Sequence, residues 1–315
     1  MIAMKIIGMI PVYNEEDIIG NVIEHLLSQG IELVILDNGS TDKSHEICSK
    51  FLNRGVLSLE TIQTEKFQFD LLAQKLYGTA CSFRAEWVLL NAADEFLEPR
   101  SSDLTLRQAI EREDRNGYNI IQFDNFEFLP TEKDTWTNGL DVRRQIKHYT
   151  WNDDLQFRSW KTYPGVKVTG TAGHYPIFPE GIKYKVARNK YVLRHYRIRS
   201  YEQGSRKVFT DRMPRYLPEE KERGRHVHYN NFQPDPSYFI IDSRNLNEYK
   251  DDDRWITRKT FDWTWGVQGR SWAHPPKSRL AVRIANHIPF AAQVWKAVFL
   301  RRKRLRFRPN SRDKA

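Results

Sequence analysis

The alternation of short apolar runs with segments of helical periodicity over the first hundred residues restricts the possible folds most. Lys5–Val12 is rich in branched apolar residues, and the segment after it carries apolar residues at helical spacing until Gly30. The same alternation continues to residue 91, and its short links predict a parallel α/β sheet with helices on both faces. The predicted strands are Lys5–Val12, Glu32–Asp37, Val56–Ile62 and Glu86–Asn91, and the predicted helices are Glu15–Gln29, Asp42–Arg54 and Phe69–Arg84.

The sequence after residue 100 is less regular. Apolar spacing predicts helices at Leu104–Arg115 and Ser200–Arg215, and alternation in Tyr118–Phe128 predicts a half-exposed strand. Residues 130–190 are aromatic and interrupted by Gly and Pro, which favours short β segments. Residues 217–260 are polar and charged, and they predict long loops.

The formal charge of +10, from 50 Lys and Arg against 40 Asp and Glu, is concentrated at one end of the chain. Residues 301–315 hold eight basic residues and one acidic residue, a net +7, which leaves +3 for residues 1–300. A nearly neutral body argues against nucleic acid as a partner. The apolar and then polybasic residues 289–308 predict peripheral contact with an anionic membrane, or else a solvated basic tail. Charged residues interrupt this stretch, so no transmembrane span is expected.

Two cysteines, Cys48 and Cys81, are too few for a disulfide framework or a cysteine zinc site. Both stand in predicted helices and are interpreted as buried thiols, which favours a reducing compartment. The chain begins with barely ten apolar residues that run into acids, which predicts a buried strand rather than a signal peptide. A cytoplasmic location is therefore expected.

Three polar motifs stand where predicted strands end, and common phosphate-binding motifs are missing from the sequence. No G-x-G-x-x-G follows the first strand and no G-x-x-x-x-G-K-[ST] occurs, which argues against a dinucleotide dehydrogenase and a P-loop ATPase. The three motifs are PVYNEE at 11–16, LDNGSTD at 36–42 and NAADEF at 91–96. In parallel α/β sheets, ligands bind beyond the carboxyl ends of the strands, where these motifs lie.

In order and spacing, these three motifs resemble family 2 glycosyltransferases of the GT-A fold, in the branch whose acidic motif reads Asp-Ala-Asp-Glu-Phe. The resemblance is good over residues 4–100 and fainter over residues 170–210. It implies an α/β GT-A domain at 1–215, with a nucleotide-binding half at 1–100 and an acceptor half at 101–215. Residues 216–315 would form an irregular C-terminal extension with loops, terminal helices and the basic tail.

The resemblance also implies an activity: inverting, metal-assisted transfer of a sugar from a nucleotide-diphosphate donor to an acceptor hydroxyl. The acceptor would be a glycan or a lipid-linked molecule, as in polysaccharide biosynthesis. A catalytically degenerate nucleotide-sugar or glycan binder of the same fold is the alternative, motivated by Ala92. A nucleic-acid-binding protein rests on the charge alone.

The first two motifs are the predicted site for the nucleotide. Asp37 would accept the imide N–H of a base such as uracil, and Gly39 lets the backbone approach the ligand closely. The turn after the first strand would supply a wall, backbone groups and a carboxylate through Pro11, Val12, Tyr13, Asn14 and Glu15. Taken alone, Asp37 to Ser40 would be only a turn before a capped helix.

The acidic motif and a later basic segment are the predicted metal and diphosphate site. In the resembling family the last Asp of the motif, here Asp94, binds Mn²⁺ or Mg²⁺, which prefer oxygen ligands. Ala92 replaces the first Asp, while Glu95 would assist the metal or form a salt bridge. RHYRIRSYEQGSRK at 194–207 resembles a segment of the same branch and suggests His195 as a second metal ligand. Its bases Arg197, Arg199 and Lys207 are candidates for binding phosphate.

Direct displacement with inversion requires a general base for the acceptor hydroxyl. Glu180 and Asp154, with its neighbour Asp153, are the candidates, and the sequence does not choose between them. His174 is a candidate for the acceptor side of the site. Each of these residues can equally be a structural or surface residue.

Overall fold

A computed structural model describes residues 4–168, 176–217, 232–252 and 255, apart from the side chains of residues 152–155. The strands are β1 (Ile6–Val12), β2 (Glu32–Asp37), β3 (Val56–Thr61), β4 (Trp87–Leu90), β5 (Glu95–Glu98), β6 (Ile120–Phe128), β7 (His148–Lys161), β8 (Lys167–Val168), β9 (Pro176–Ile177), β10 (Val186–His195) and β11 (Asn247–Glu248). The α-helices are α1 (Ile19–Ser28), α2 (Ser44–Ser49), α3 (Phe69–Ser82), α4 (Leu106–Arg115), α5 (Val142–Gln145) and α6 (Tyr201–Ser205). A π-helix continues α6 over Arg206–Arg212, and 3₁₀ turns lie at Met213–Arg215, Pro236–Tyr238 and Ser243–Asn245.

One large sheet organises the described residues, in the order β3-β2-β1-β4-β7-β6-β10-β5, with β11 paired to β7. Six of the eight strands on this path run in one direction, and only β7 and β5 are antiparallel to their neighbours. The predicted α/β class with a mostly parallel sheet is therefore confirmed. The four strands predicted before residue 100 are also confirmed, to within one residue at each end.

Helices cover both faces of this sheet. Alternate residues of β1 point to opposite sides, so Ile6 and Ile10 belong to a core with α1 and α4, whereas Ile7 and Met9 pack against α3. Each helix buries its apolar stripe against the sheet, which is the arrangement that parallel strands require. Cys48 is buried as predicted, but Cys81 is exposed, because it lies on the face of α3 away from the sheet.

The middle of the sheet differs from the sequence prediction. All nine residues of β6 are buried, so the expected half-exposed strand is wrong. The 14-residue strand β7 lies between β4 and β6 and buries β6 on that side. Regular periodicity did not predict this strand, because its polar residues find partners inside the sheet.

The chain beyond residue 215 contributes to the same body. β11 pairs with β7, and Phe239 and Ile241 pack against Leu129 and Ile198. The domain boundary placed after residue 215 stays a prediction, although the sheet takes a strand from beyond it. Within the described part of the chain, no helix combines the length and the hydropathy needed to cross a bilayer. The basic segment 289–308 lies outside the described residues.

Candidate active site

The three motifs meet at one edge of the sheet, as predicted. Strands β1, β2 and β4 are neighbours and parallel, so the residues that follow them lie side by side. Asn14 and Glu15 come after β1, Asp37 ends β2, and Asp94 follows β4. All four are buried polar residues. A buried polar group requires a partner, and these residues find theirs in one another and in the segment 195–212.

The first two motifs are joined by Asn14, whose backbone adopts a left-handed conformation with φ of 52°. Its side-chain oxygen accepts a hydrogen bond from the Thr41 N–H at 2.8 Å, and its amide donates to Asp211 Oδ1 at 2.9 Å. Gly39, with φ of 72°, allows the second turn to close against it. Because this turn precedes it, the first helix begins later in the chain than predicted: α1 begins at Ile19 rather than at Glu15.

The predicted base-binding residues lie around this turn. Asp37 Oδ1 accepts from the Ser40 backbone N–H at 2.9 Å, and Asp37 Oδ2 lies 3.0 Å from His45 Nδ1. The Asp37 carboxylate thus shapes its own turn, and its role toward a base stays a prediction. Pro11 and Tyr13 are half-buried, Val12 is buried, and the Arg215 guanidinium lies 3.8 Å from the centre of the Tyr13 ring.

Strand pairing brings His195 to Asp94 across a hundred residues of sequence. β5 and β10 are antiparallel with Glu95 opposite His195, and the Tyr196 N–H donates to the Asp94 carbonyl at 2.9 Å. β6 and β10 are parallel with Glu127 opposite His195. The imidazole therefore lies between two carboxylates, with Nε2 3.4 Å from Asp94 Oδ2 and Nδ1 3.1 Å from Glu127 Oε2.

The electrostatics of this trio favour charged forms. Burial alone would lower the pKa of His195, but the charges of Glu127 and Asp94 raise it to about 9. Burial likewise opposes ionisation of Asp94, yet Lys207 and His195 hold its pKa well below the usual value. The pKa of Glu127 is lowered in the same way, with Arg197 as the strongest opposing charge to burial. The site thus holds several formal charges in a nearly dry environment.

Lys207, on the π-helix, completes the cluster. Its Nζ lies 2.7 Å from Asp94 Oδ2 and 2.5 Å from Glu15 Oε1, and its side chain is 3% exposed. Arg199 binds the other oxygen of Glu15 at 2.7 Å and also contacts Asp17. The acid of the first motif and the acid of the third are therefore bridged by one ammonium.

Glu95 takes the second of the two roles expected for it. One of its oxygens accepts from Arg158 at 2.5 Å, and the other accepts from the Ala92 N–H at 2.9 Å. This places the Glu95 carboxylate in a buried salt bridge within the turn. Arg158 and Glu127 were missed by sequence reasoning, because only the pairing of β6, β7 and β10 brings them to the motif.

These residues fit a divalent cation poorly. Ala92 supplies a methyl group where the resembling family has a carboxylate, and the Asp94 carboxylate already contacts Lys207 and His195. Among the residues described, no group of three His, Cys, Asp or Glu side chains is arranged to hold a metal ion. Asp94 and His195 lie together as predicted, but they are paired with each other and with Lys207 as ions.

Of the candidate general bases and the acceptor-side candidate, Glu180 can be placed, and it is not brought to this cluster. Glu180 is exposed in a turn next to Gly181, which lines a cavity of about 340 Å³ with Gly117 and Asn119 at the start of β6. That is the opposite edge of the sheet from Asp94. Asp154 belongs to β7. The side chains of Asp153 and Asp154, and the whole of His174, lie outside the described residues.

Comparison with known proteins supports the resemblance over just under half of the chain. Residues 9–163 match the family model described as "Glycosyl transferase family 2". This match and the mostly parallel sheet agree with the predicted GT-A class. The branch with the Asp-Ala-Asp-Glu-Phe motif stays a prediction. The glycosyltransferase GlyG of Streptococcus pneumoniae serotype 4 (strain ATCC BAA-334 / TIGR4) is 27% identical over 144 residues. That stretch is 43% of this chain and 46% of GlyG, so the chain spans about half the length of this relative.

Solved structures of S. aureus TarS are more distant neighbours. The structure of TarS 1-349 in complex with UDP-GlcNAc is 14% identical, with 72% of both chains covered and a TM-score of 0.39. A second TarS structure is 13% identical, with 72% of this chain and 43% of that chain covered and a TM-score of 0.37. At such scores the likeness is too low to transfer a ligand or a residue role.

Proposed function

We propose that this chain is a nucleotide-sugar glycosyltransferase. The observation that carries the proposal is the single buried cluster in which Glu15, Asp94, His195 and Lys207 meet beside the Asn14 turn. Each member belongs to a motif that resembles family 2, and residues 9–163 match that family. A merely structural ion-pair network would have no reason to gather at the strand ends where α/β sheets bind ligands.

In this proposal the donor lies across the edge formed by β1, β2 and β4. The base would contact Tyr13 and Asp37, and the diphosphate would reach the cations Lys207 and Arg197. The bond between the anomeric carbon and the β-phosphate oxygen breaks, with its electron pair on that oxygen, as the acceptor oxygen attacks. Buried, fixed cations stabilise the developing charge on the leaving group more than solvated ones would.

Several finer features are part of the proposal but do not support it. Inversion, transfer of a hexosyl or related sugar, and a role in polysaccharide biosynthesis follow from the resemblance. The resemblance also implies assistance by Mn²⁺ or Mg²⁺, which the residues around Asp94 fit poorly. Asp154 keeps its place as a candidate general base, and Glu180 would need to act from the opposite edge of the sheet. A glycan or lipid-linked acceptor, a cytoplasmic location and membrane contact through residues 289–308 remain predictions, as does the absence of nucleic acid from the partners.

A degenerate nucleotide-sugar binder is the second candidate, and it is favoured by Ala92 and by the pairing of Glu95 with Arg158. A transfer and hydrolysis assay with UDP-, GDP- and dTDP-sugars separates the two. An active enzyme should release or transfer sugar from one donor class, with at least a hundredfold loss in Asp94→Ala. Binding of a donor without turnover under any condition would establish the degenerate binder instead.

A further inference from the structure

We propose that the ammonium of Lys207 is the cation that meets the donor diphosphate beside Asp94, so that donor binding and transfer need no divalent metal. This inference rests on the proposed function. It changes the expected chemistry of the site, because Asp94 and His195 would then hold and orient a lysine rather than ligate a metal.

The ammonium of Lys207 has one more N–H donor than its two carboxylate partners use. An ammonium has three N–H donors, and within the described residues Lys207 directs its hydrogen bonds to two carboxylates, Asp94 and Glu15. The third donor is available to a phosphate oxygen. The side chains of Asp94 and His195 are 8% and 11% exposed, so the cluster reaches solvent at these two side chains.

The lysine is held from behind, as a fixed cation must be. Arg199 is fully buried and binds Glu15 Oε2, which leaves Oε1 of the same carboxylate directed at Lys207. Arg199 also donates to the Tyr196 carbonyl at 2.7 Å, and this hydrogen bond fixes the guanidinium to the residue that follows β10. An ammonium fixed in this way does not have to reorganise when charge develops on the leaving oxygen.

In the part of the chain that the structure describes, the cluster has no excess of carboxylates that would attract a divalent cation. Four carboxylates are opposed by four permanent cations, and the members are Glu15, Asp17, Asp94, Glu127, Lys207, Arg197, Arg199 and Arg212. Divalent cations bind where carboxylates are in excess and supply free oxygen ligands. A metal would have to displace Lys207 from Asp94, whereas a phosphate oxygen adds to the third N–H without breaking a pair.

The step is chemically complete without a metal. The bond from the anomeric carbon to the β-phosphate oxygen breaks with both electrons on oxygen, and Lys207 donates a hydrogen bond to the diphosphate while it keeps its proton. The acceptor oxygen forms the new bond to the anomeric carbon. The acceptor proton leaves to a base or to water.

The test uses the full chain and the nucleotides UDP, GDP and dTDP in isothermal titration, once in EDTA and once in excess Mn²⁺. We expect one nucleotide to bind with affinities that agree within about twofold in the two buffers. Lys207→Met should weaken that binding about tenfold to a hundredfold in both buffers, the range for a lost charge-assisted hydrogen bond. Lys50→Met, at a lysine 61% exposed directly after α2, is the matched control and should bind like the wild type.

Two results overturn the inference and are distinguishable from each other. If the wild type binds a nucleotide at least tenfold more weakly in EDTA than in Mn²⁺, the metal is required, and the proposed function stands without this inference. If no nucleotide binds in either buffer, the proposed function fails as well. The wild-type comparison does not depend on the variant, so it tests metal independence even if Lys207→Met fails to fold. Nucleotide binding by folded Lys207→Met equal to that of the wild type would overturn the role of Lys207.

Discussion

The two regions that build the site differ in what they contribute. The strand ends before residue 100 contribute acids, Glu15, Asp17 and Asp94, whereas residues 195–207 contribute the bases that neutralise them. Neither set tolerates burial alone, because an unpaired buried charge costs several kcal/mol. The site therefore forms only when the two regions pack together. A variant that removes a charge from one region should leave an opposite charge of the other region buried without its partner.

The largest effect is expected from removing the central cation of the interface. Arg199→Met leaves Glu15 and Asp17 buried without their guanidinium, and it should lower the free energy of unfolding by about 3–5 kcal/mol. Denaturant titration followed by circular dichroism measures this loss. Arg244→Met is the control, because that side chain is 88% exposed and its pair with Asp242 should contribute nothing measurable. Equal losses in the two variants would mean that the regions are not held by these pairs.

The next effect concerns a histidine of the first region and depends on pH. His25 on α1 bonds the Leu97 carbonyl at 2.9 Å and faces Arg143 Nη1 at 2.8 Å, so it supports β5 in its neutral form. Burial, and then the charge of Arg143, lower its pKa to about 4. The unfolded chain therefore binds this proton first, and stability present above pH 6.5 is lost as the pH falls toward 4. The loss should approach about 3 kcal/mol, at 1.36 kcal/mol per unit of pKa.

Unfolding measured from pH 7 to pH 4 in the wild type and in His25→Gln isolates this contribution. Between pH 7 and pH 4, the free energy of unfolding should fall more steeply in the wild type than in His25→Gln. Above about pH 7 the two curves should run parallel. Parallel curves over the whole range would show that His25 does not titrate on unfolding.

Sequence reasoning succeeded in the first region because three of its strands, β1, β2 and β4, each end in a motif of their own. Local periodicity places β1, β2 and β4, and parallel neighbours then bring Asn14, Asp37 and Asp94 to one edge without further information. It failed for β6, whose nine residues are all buried although four of them are polar, namely Gln122, Asp124, Asn125 and Glu127. A polar residue predicts exposure unless its partner is known, and Glu127 finds its partner His195 68 residues farther along the chain.

The second region shows a different limit. The sequence placed a helix at Ser200–Arg215, and the structure confirms a helical segment there but widens it to a π-helix from Arg206. No propensity predicts that widening, and Lys207, which lies between Glu15 and Asp94, belongs to the widened segment. Single-turn π segments often occur at functional sites. Glu180 and Asp154 were candidates for the general base only because each carries a carboxylate.

A smaller effect is expected where the two regions touch at the reacting centre. Asp94→Asn keeps the shape of the side chain but removes the charge that orients Lys207 and His195, so transfer should fall about a hundredfold, as for loss of an electrostatic group. Initial rates with the accepted donor measure it. Asp103→Asn, at an exposed residue before α4, is the matched control and should retain wild-type rates. Unchanged transfer in Asp94→Asn would remove Asp94 from the site.

No effect on the site is expected from the basic end of the chain. Deletion of residues 301–315 removes a net +7 but none of the residues that form the cluster. Donor binding should therefore be unchanged in calorimetry, whereas sedimentation with vesicles containing phosphatidylserine should show reduced binding. A large loss of donor affinity would mean that the tail, rather than the docked regions, holds the donor.

Hydrogen–deuterium exchange with and without a saturating nucleotide-sugar tests most directly that two distant regions form one donor site. We predict slower exchange in the peptides covering residues 11–16 and 194–207 together, with no change at residues 180–185 on the opposite edge. Protection confined to the first peptide, or centred on residues 180–185, would contradict a donor site built from both regions.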